Sequence, residues 1–552
     1  MIASMELQAV PFREIPHSSQ LFSAFLDDFS RVEKFYSHAP DASGIAAAAR
    51  EIRLDPQIRR AVAGILRDQN RNFDPENRLD PASGKNLDRL AAGAAAVVTG
   101  QQAGLFSGPA YTFYKALSAA RCAEDLTRRG IDAVPVFWIA AEDHDLAEVN
   151  HTFWNTRHGL ARYELPSREE FAGRRVGEVP LGDAVRSLVS DASKTLDGVC
   201  ADAISVALRE CYAPGETYGS AFGKLMSRLL AGRGIIFLDA LDARLHRLAA
   251  PLYTRALAES VALRDALLVR DRELESAGFH SQVKVTHEST LLFFTVNGRR
   301  EPIRARNGTF FAADAEFSPS QLASAIDKTP EAFSPNALLR PVVQDSLLPT
   351  AATIGGPAEI AYLAQSQAIY VRLLGRMPAV LPRASFTFIE QPIARFLSTY
   401  DLTIQDILAG PQHVRAKMEK KSLPDGLTER FDEAEHSLRQ ILSRFKSPIE
   451  SLDATLVGAL ESTQEKMLHQ LNQLRGKVGR AENFRTGVLD RHQQILFDAL
   501  YPEGALQERS LCFLPLLAAY GRELTDEITR LSAVSATEGE GSTAREHQVI
   551  FL

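Results

Sequence analysis

Cysteine is scarce in this sequence of 552 residues, which contains only Cys122, Cys200, Cys211 and Cys512. No two of them stand in a C-x-x-C pair, so the sequence signals neither a disulfide scaffold nor a cysteine-rich zinc site. Scarce, unpaired cysteines are typical of a reduced compartment, and we therefore expect the cytoplasm.

Long apolar runs and an excess of basic residues are also missing. No apolar stretch approaches the roughly 18 residues that suggest a membrane span, and the N-terminus lacks the basic start and apolar core of a secretory signal. The 62 Lys and Arg against 69 Asp and Glu give a formal net charge of −7. A general nucleic-acid or anionic-membrane binder needs a basic face, so we expect a soluble protein that binds neither.

The pattern of residues 94–141 predicts one strand-helix-strand unit. The apolar runs Ala94–Val98 and Val134–Ala141 predict buried strands. Between them, a glycine-containing loop leads to Gly108 and Pro109, and a helix follows whose apolar residues recur at helical spacing. Residues 234–239 predict a further strand, and residues 281–296 a hairpin. We therefore expect an α/β fold with a Rossmann-like parallel-sheet core, covered by helices.

The C-terminal third predicts long helices. Its apolar residues alternate spacings of four and three, as in a coiled coil, at Leu427, Phe431, Ala434, Leu438, Ile441 and Phe445. Ser447 followed by Pro448 resembles an N-cap and first turn, which predicts an antiparallel coiled-coil hairpin joined there. A helical bundle packed on the core is the alternative. We expect a core in residues 1–153, an inserted connecting region with further core strands in 154–334, a second core part in 335–395, a helical coiled-coil region in 396–540 and a tail in 541–552.

The segment Thr99–Lys115 is the most distinctive candidate site. A loop between a buried strand and a helix start presents backbone N–H groups that suit an anion such as phosphate. Candidate binding residues are Thr99, Gly100, Gln101, Gln102, Gly104, Gly108 and Lys115. The spacing matches neither the phosphate-loop nor the dinucleotide fingerprint. A plain tight turn with a solvated lysine is the alternative.

An acidic cluster follows the second predicted strand, at the edge of the sheet where ligands bind. His144 beside Asp143 and Asp145 could act as a base, position an amine or bind Mg²⁺. We take these three as candidate catalytic residues and nearby Asn150 as a binding residue. The alternative is an acidic helix N-terminus, whose carboxylates face the favourable end of the helix dipole.

Other polar residues stand in apolar surroundings, where they need partners. They are Arg340, Gln344, Asp345 and Glu359, with Arg383 as a further anion contact. An Arg340–Asp345 salt bridge is the alternative for the first group. Gly-Pro-Ala-x-x-x-Tyr occurs at Gly108 and again at Gly356, so two helices are expected to begin alike. Residues 501–504 and 507–509 are interpreted as a turn and a solvated helix start.

Four segments together resemble the bacillithiol biosynthesis cysteine-adding enzyme family, BshC. They read VVTGQQAGLFSGPAYTFYKALSA, VPVFWIAAEDHDLAEVNH, FSPNALLRPVVQDSLLPTAATIGGPAEIAYLAQ and YPEGALQER, and they run from Val97 to Arg509. The resemblance implies a Rossmann-like core, inserted connecting segments and a coiled coil that supports a homodimer. It also implies a cysteine ligase that joins the carboxyl of cysteine to the amine of glucosaminyl-malate, forming bacillithiol.

Formation of that amide implies activation of the carboxyl group, with ATP as cosubstrate and Mg²⁺ as a candidate counterion. We expect the loop from Gly100 to Gly108 and Lys115 to hold the phosphates. His144, with Asp143 or Asp145, would accept the proton or orient the amine. Related cysteine ligases select the thiol with zinc, and no zinc-ligand set stands out here. A non-catalytic nucleotide-binding scaffold with regulatory function is the alternative.

Overall fold

The computed structural model describes residues 6–421, 426–533 and 545–552. The chain divides into two compact units. The first comprises Met1–Thr387 with Glu508–Val549, and the second comprises Phe388–Gln507 with Ile550–Leu552. Most of the second unit, Phe388–Gln507, therefore lies in sequence between the two parts of the first.

The strands in chain order are β1 Glu6–Pro11, β2 Ala95–Gln101, β3 Ala133–Ile139, β4 His151–Thr156, β5 Gly159–Glu164, β6 Ile236–Asp239, β7 Ser289–Val296, β8 Arg299–Arg306, β9 Thr309–Ala312, β10 Ala315–Phe317, β11 Phe333–Pro335, β12 Thr350–Gly355, β13 Ala379–Pro382, β14 Phe386–Ile389 and β15 Glu546–Phe551.

The α-helices in chain order are α1 Gln20–Asp27, α2 Ala42–Arg50, α3 Pro56–Asn72, α4 Pro81–Ala92, α5 Tyr111–Arg128, α6 Leu146–Val149, α7 Ala184–Ser193, α8 Ala201–Cys211, α9 Tyr218–Leu229, α10 Ala243–Ala258, α11 Ser260–Ser276, α12 Pro319–Lys328, α13 Arg340–Leu347, α14 Pro357–Leu374, α15 Gln391–Tyr400, α16 Ile404–Leu408, α17 Pro411–Lys421, α18 Leu427–Ser443, α19 Lys446–Leu452, α20 Val457–Thr486, α21 Val488–Leu500, α22 Gln507–Ser510 and α23 Leu514–Leu531. Among the helices described here, none combines the length and apolarity needed to cross a lipid bilayer.

A parallel sheet of five strands forms the core of the first unit, in the order β13-β12-β2-β3-β6. The sheet is buried on both faces. This explains why its strands are short apolar runs without alternation. Read in chain order, the strands are arranged 3-2-1-4-5, the order of Rossmann-type sheets. The order reverses between β2 and β12, and a parallel sheet opens a crevice at such a point. The predicted Rossmann-like parallel core is confirmed.

An antiparallel sheet corrects one prediction in the connecting region. Its order is β10-β9-β8-β7-β11, and the predicted hairpin within residues 281–296 is wrong. The strand begins only at Ser289 and pairs with β8. In the earlier part, Val283 bonds through its backbone N–H and C=O with the side-chain amide of Gln365, at 2.9 Å each. A side chain therefore takes the place of a neighbouring strand.

The second unit is helical, and α18 and α20 pack as an antiparallel hairpin. Arg475 bonds Asp432 at 2.9 Å, and Lys446 lies 3.6 Å from Glu461 nearer the connection. The prediction for the connection is wrong in detail. Helix α19 starts one residue before Ser447, which therefore is not an N-cap, and α20 begins only at Val457. The second long helix, α20, starts later than predicted because Asp453, not Ser447, caps the turn that precedes it.

Candidate functional site

A cavity of about 320 Å³ opens at the carboxyl ends of β2 and β12, where the strand order of the core sheet reverses. Predicted site residues that line it are Thr99, Gly100, Gln101, Gln102, Lys115, Asp143, Arg340, Gln344, Glu359 and Arg383. Further lining residues include Tyr111, Trp138, Glu148, Thr353, Gly356, Tyr362 and Arg509. The crevice of an open α/β sheet at this point is the usual ligand site of such folds.

The end of β2 forms one wall of the cavity. The Thr99 hydroxyl donates to the Ile354 carbonyl at 2.9 Å and so fastens β2 to β12. Gly100 leaves the sheet surface bare, and a Cβ there would lie 2.8 Å from the Trp138 carbonyl oxygen. Gly100 is therefore required by the close approach of β3.

Lys115 connects the two sides of the crevice. Its Nζ donates to the Gly100 carbonyl at 2.9 Å and to Gln101 Oε1 at 2.7 Å, and it lies 2.6 Å from Glu359 Oε2. An ammonium group has three N–H donors, so these contacts use all of them. Burial lowers the pKa of Lys115, and the Glu359 carboxylate partly offsets this. Lys115 is thus a buried strut across the crevice, not a solvated lysine.

Glu359 also caps the helix that begins in the cavity. Its Oε2 accepts from the Gly356 backbone N–H at 2.7 Å, and Gly356 to Glu359 all line the cavity. Helix α14 has 18 residues, and its first-turn N–H groups and dipole make this end favourable for an anion. The helix N-terminus facing the cavity is that of α14, which follows β12.

Arg383 is held by a carboxylate that the sequence did not reveal. Its guanidinium donates to both carboxylate oxygens of Glu508, at 2.9 and 2.6 Å, and Glu508 is only 1% exposed. Burial would raise the pKa of Glu508, but Arg383 lowers it below its usual value. The interpretation of residues 507–509 as a solvated helix start is therefore wrong for Glu508, because the 508–549 segment belongs to the first unit.

A buried histidine completes this network. The Ser385 hydroxyl lies 2.8 Å from Glu508 Oε1 and 2.7 Å from His547 Nδ1, while His547 Nε2 lies 2.8 Å from the Thr387 hydroxyl. Burial lowers the pKa of His547 to about 4. The imidazole is therefore neutral near pH 7 and serves as a hydrogen-bonding spacer.

Asp143 is the member of the acidic cluster that lines the cavity. Gln102 Nε2 donates to Asp143 at 3.1 Å and to Glu148 at 2.9 Å. Burial would raise the pKa of Asp143, but the guanidiniums of Arg340 and Arg300 lower it. The carboxylate is ionised at neutral pH and keeps lone pairs for a ligand.

His144 and Asp145 do not line the cavity. The Arg300 guanidinium donates to His144 Nδ1 at 3.1 Å, so that nitrogen accepts and cannot also take a proton. The His144 ring lies against Phe293 of the antiparallel sheet. Asp145 is exposed and caps α6, with its side chain accepting from the Glu148 N–H at 3.3 Å. Asp145 therefore has the role that the alternative interpretation gave the cluster, that of an acidic residue at a helix N-terminus.

Asn150 and Asp345 are buried away from the cavity. Asn150 Nδ2 donates to the Leu165 carbonyl at 3.0 Å and fixes the segment leading into β4. Asp345 accepts from Tyr370 and Gln344, and burial raises its pKa. The alternative of an Arg340–Asp345 salt bridge is not observed.

Gly104 and Gly108 also lie outside the cavity. Their loop is buried, and the Phe106 ring packs 5.0 Å from that of Tyr212. Gly108 has φ 70°, which favours glycine. A Cβ on Gly104 would lie 2.9 Å from the Gly108 Cα. These glycines serve close packing of the loop within its own core.

Six residues that line the cavity or hold its walls were missed by sequence reasoning. Tyr111, Trp138 and Tyr362 were seen only as part of a helix or strand pattern. Glu148 was given no role, and Glu508 and Arg509 were expected at a solvated helix start. The one available signal was the YPEGALQER motif, which contains Glu508 and Arg509. Within the described part of the chain, no group of three or more His, Cys, Asp or Glu side chains could hold a metal ion.

Fold and site together define a Rossmann-like α/β protein with a ligand crevice at the switch point of its sheet. Residues 5–384 match the family model described as "Bacillithiol biosynthesis BshC, N-terminal Rossmann-like domain", and residues 386–538 match "Bacillithiol biosynthesis BshC, C-terminal coiled-coil domain". The chain belongs to the BshC family, and the resemblance found in the sequence is confirmed.

Relatives agree along nearly the whole chain. One from Koribacter versatilis (strain Ellin345) is 40% identical over 543 residues, covering 98% of this chain and 99% of the relative. One from Solibacter usitatus (strain Ellin6076) is 36% identical, covering 95% and 97%, and one from Salinibacter ruber is 33% identical, covering 92% and 93%. All three are named "Putative cysteine ligase BshC". Those names agree with the predicted enzyme class, a ligase.

Proposed function

We propose that this protein is a cysteine ligase of bacillithiol biosynthesis, which joins the carboxyl of cysteine to the amine of glucosaminyl-malate. The observation that carries the proposal is the switch-point cavity of a BshC-family chain, which combines an ionised carboxylate with a helix N-terminus. An amine does not displace a carboxylate oxygen unaided, so ATP would convert the carboxyl into an acyl-adenylate or acyl-phosphate. Mg²⁺ would enter with the ATP phosphates.

The first turn of α14 is the proposed phosphate site. Gly356 to Glu359 line the cavity, and a helix start offers free N–H groups and a positive dipole end to an anion. Lys115 and Glu359 hold this turn against the end of β2 at 2.6 Å. The lysine thereby acts by fixing the geometry of the phosphate site, while Gly104 and Gly108 support it from the core.

Asp143 is the proposed acceptor of the amine proton. It is ionised, lines the cavity and keeps lone pairs beyond its bond with Gln102. The His144 backbone N–H donates to Asp143 at 2.7 Å. Its side chain accepts from Arg300 at 3.1 Å, one of the two cations that lower the pKa of Asp143, so His144 is proposed to act on the carboxylate through Arg300. Positioned proton transfer contributes about 10²- to 10⁴-fold to rate.

Purified protein should be incubated with ATP, cysteine and glucosaminyl-malate, with products identified by mass spectrometry. The proposal predicts bacillithiol and a cysteine-dependent release of AMP or ADP. Asp143→Asn should lower kcat by about 100-fold or more, and His144→Ala by a smaller factor, each with the far-ultraviolet spectrum of the folded protein. Asp145→Asn, a change in the same cluster outside the cavity, is the matched control. Nucleotide binding without cysteine-dependent turnover would favour the scaffold function instead.

A further inference from the structure

The cations that line the cavity differ in whether their donors are already used. The three N–H groups of Lys115 all donate to protein acceptors. Both terminal nitrogens of the Arg383 guanidinium donate to Glu508. Arg340 is different. Its guanidinium Nε is buried, and no acceptor for it lies within hydrogen-bond distance among the described residues. Since a buried donor without an acceptor is costly, Arg340 is poised for a ligand in a way that Lys115 and Arg383 are not.

Two more cavity residues share this property. The indole Nε1 of Trp138 and the hydroxyl of Thr353 are buried without a hydrogen-bond partner in the described part of the chain. Trp138 is 4% exposed, and its indole can only donate. A buried polar atom without a partner is uncommon in folded proteins. Three such atoms on residues that line one cavity indicate that a ligand with acceptor atoms satisfies them.

The strand register brings two of these donors to one face of the sheet. Trp138 pairs with Gly100, and Thr353 pairs with Val98. Gly100 and Val98 are two residues apart on β2 and therefore share a face. Trp138 and Thr353 thus stand on that same face, on the strands to either side of β2, roughly 12 Å apart when the two-residue offset along β2 is added to two strand spacings. Gly100 carries no side chain between them, because a Cβ there would lie 2.8 Å from the Trp138 carbonyl oxygen.

The charges around Arg340 limit the ligand. Asp143 and Glu148 line the same cavity, and Arg340 is the foremost cation that lowers the pKa of Asp143. Beside Arg340, a triphosphate would be repelled by these two carboxylates, whereas the proposed phosphate site is the first turn of α14. A group of one negative charge with planar oxygens suits the guanidinium fork and accepts readily from an indole N–H and a hydroxyl.

We propose that Arg340, Trp138 and Thr353 form a subsite for a substrate carboxylate. This proposal rests on the proposed function, whose two substrates both carry carboxylates: cysteine has one, and the malyl group of glucosaminyl-malate has two. The oxygens of the bound carboxylate supply the acceptor atoms that the three orphaned donors lack. It also contributes to substrate recognition without a metal ion.

Intrinsic fluorescence tests the proposal directly, because the chain contains only two tryptophans. Trp154→Phe leaves Trp138 as the sole reporter, and Trp154 does not line the cavity. The variant is titrated separately with cysteine, with glucosaminyl-malate and with ATP. We expect a saturable change with one of the two carboxylate substrates, which identifies the source of the carboxylate, and its loss on adding Arg340→Gln. A response to ATP alone would overturn the proposal.

Kinetics of variants that lack a donor provide the second test. Trp138→Phe and Thr353→Val each remove one donor, Thr353→Val with little change of shape, and should raise the KM of that same substrate by about three- to tenfold, with Arg340→Gln exceeding tenfold. The KM for ATP should stay unchanged. Thr112→Val removes another buried, unpartnered hydroxyl that is outside the cavity and should alter no KM.

The outcomes separate this proposal from the proposed function. Normal ligation with unchanged KM values in Trp138→Phe and Thr353→Val overturns the subsite and leaves the ligase intact. Saturable, Arg340-dependent carboxylate binding in a protein that forms no amide supports the subsite and overturns the ligase. If Trp154→Phe does not fold, titration calorimetry of the wild type against Thr353→Val supplies the same comparison.

Discussion

The sequence Gly-Pro-Ala-x-x-x-Tyr occurs twice in the first unit, and its two copies have different roles. In the first copy, Gly108 has φ 70°, Pro109 bridges to Cys512 and the Ala110 N–H donates to the Leu511 carbonyl at 2.8 Å. Its tyrosine, Tyr114, is fully buried. The start of this copy packs a loop into the core, and only Tyr111 within it lines the cavity.

The second copy opens into the cavity. Gly356 has φ −85° and is the N-cap of α14, with Pro357 as the first helical residue. Its tyrosine, Tyr362, lines the cavity. The difference lies in what precedes each copy: a buried loop separates β2 from Gly108, whereas β12 ends directly at Gly356. A shared helix-start motif therefore does not by itself mark a binding site. Whether the motif faces the cavity depends on how far it lies from the end of the preceding strand.

The largest effect is expected from Lys115→Met, which breaks the link between the helices that begin in the two copies. The change leaves Glu359 without its 2.6 Å partner, and breaking a buried pair costs about 3 kcal/mol or more. Urea denaturation should show this loss, and adding Glu359→Gln should recover part of it. Lys194→Met, in an exposed pair, should change stability by less than about 0.5 kcal/mol. Equal losses of stability in the two lysine variants would contradict the role of Lys115 as a buried strut across the crevice.

A matched pair of glycine variants tests the two copies themselves. Gly108→Ala places a Cβ at positive φ and should lower the free energy of unfolding by about 1–3 kcal/mol. Gly356→Ala is unstrained, but its Cβ would lie 3.4 Å from Arg383 Nε. We expect near-normal stability and a several-fold higher KM for ATP. The reverse pattern would show that the roles of the copies were assigned wrongly.

His547 belongs to the hydrogen-bond network that holds Arg383 in the cavity wall. It should make the stability of the fold sensitive to acid. Its pKa is about 4 in the fold and about 6.5 when unfolded. The unfolded chain therefore binds more protons between these values, so stability is complete above pH 6.5 and falls as the pH decreases. Between pH 7 and pH 5 the loss is about 2 kcal/mol. His547→Gln should show a smaller difference between its urea midpoints at the two pH values, and an unchanged difference would refute this.

The smallest effect is expected from Tyr212→Phe, which concerns the first copy only. The Tyr212 hydroxyl donates to the Gly104 carbonyl at 3.2 Å, and a hydrogen bond of this kind contributes about 1 kcal/mol. Thermal unfolding should show a slightly lower midpoint, whereas the KM of every substrate should stay unchanged. A changed KM would mean that the loop is coupled to the cavity.

Local patterns predicted the core strands β2, β3 and β6 and the start of α14. The expectation that two helices begin alike is wrong, because α5 begins only at Tyr111, with Ala110 as its N-cap. Unbroken apolar runs such as Val134–Ala141 identify strands buried on both faces, and Gly356 followed by Pro357 identifies a helix start. The strand order could not be predicted, because it depends on pairings between segments distant in sequence, such as β2 with β12.

The site was predictable only in part, for the same reason. Gly104 and Gly100 look alike in sequence, yet only Gly100 lines the cavity. Trp138 was read as part of a strand, since a strand pattern does not show that its indole N–H lacks an acceptor. Glu508 was missed because its partner lies 125 residues earlier, and charge spacing within a helix carries no information about such a contact.

The Arg383–Glu508 pair also sets an order of events during synthesis. Arg383 leaves the ribosome 125 residues before the carboxylate that holds it. At translation rates of about 5–20 residues per second, that interval lasts roughly 6–25 seconds. Throughout it, the strands of the core sheet have been synthesised, but the anchor of one cavity cation has not. The binding site is thus completed only after residues 388–507 have been made, and a chain released earlier would lack this anchor together with the 508–549 part of the first unit.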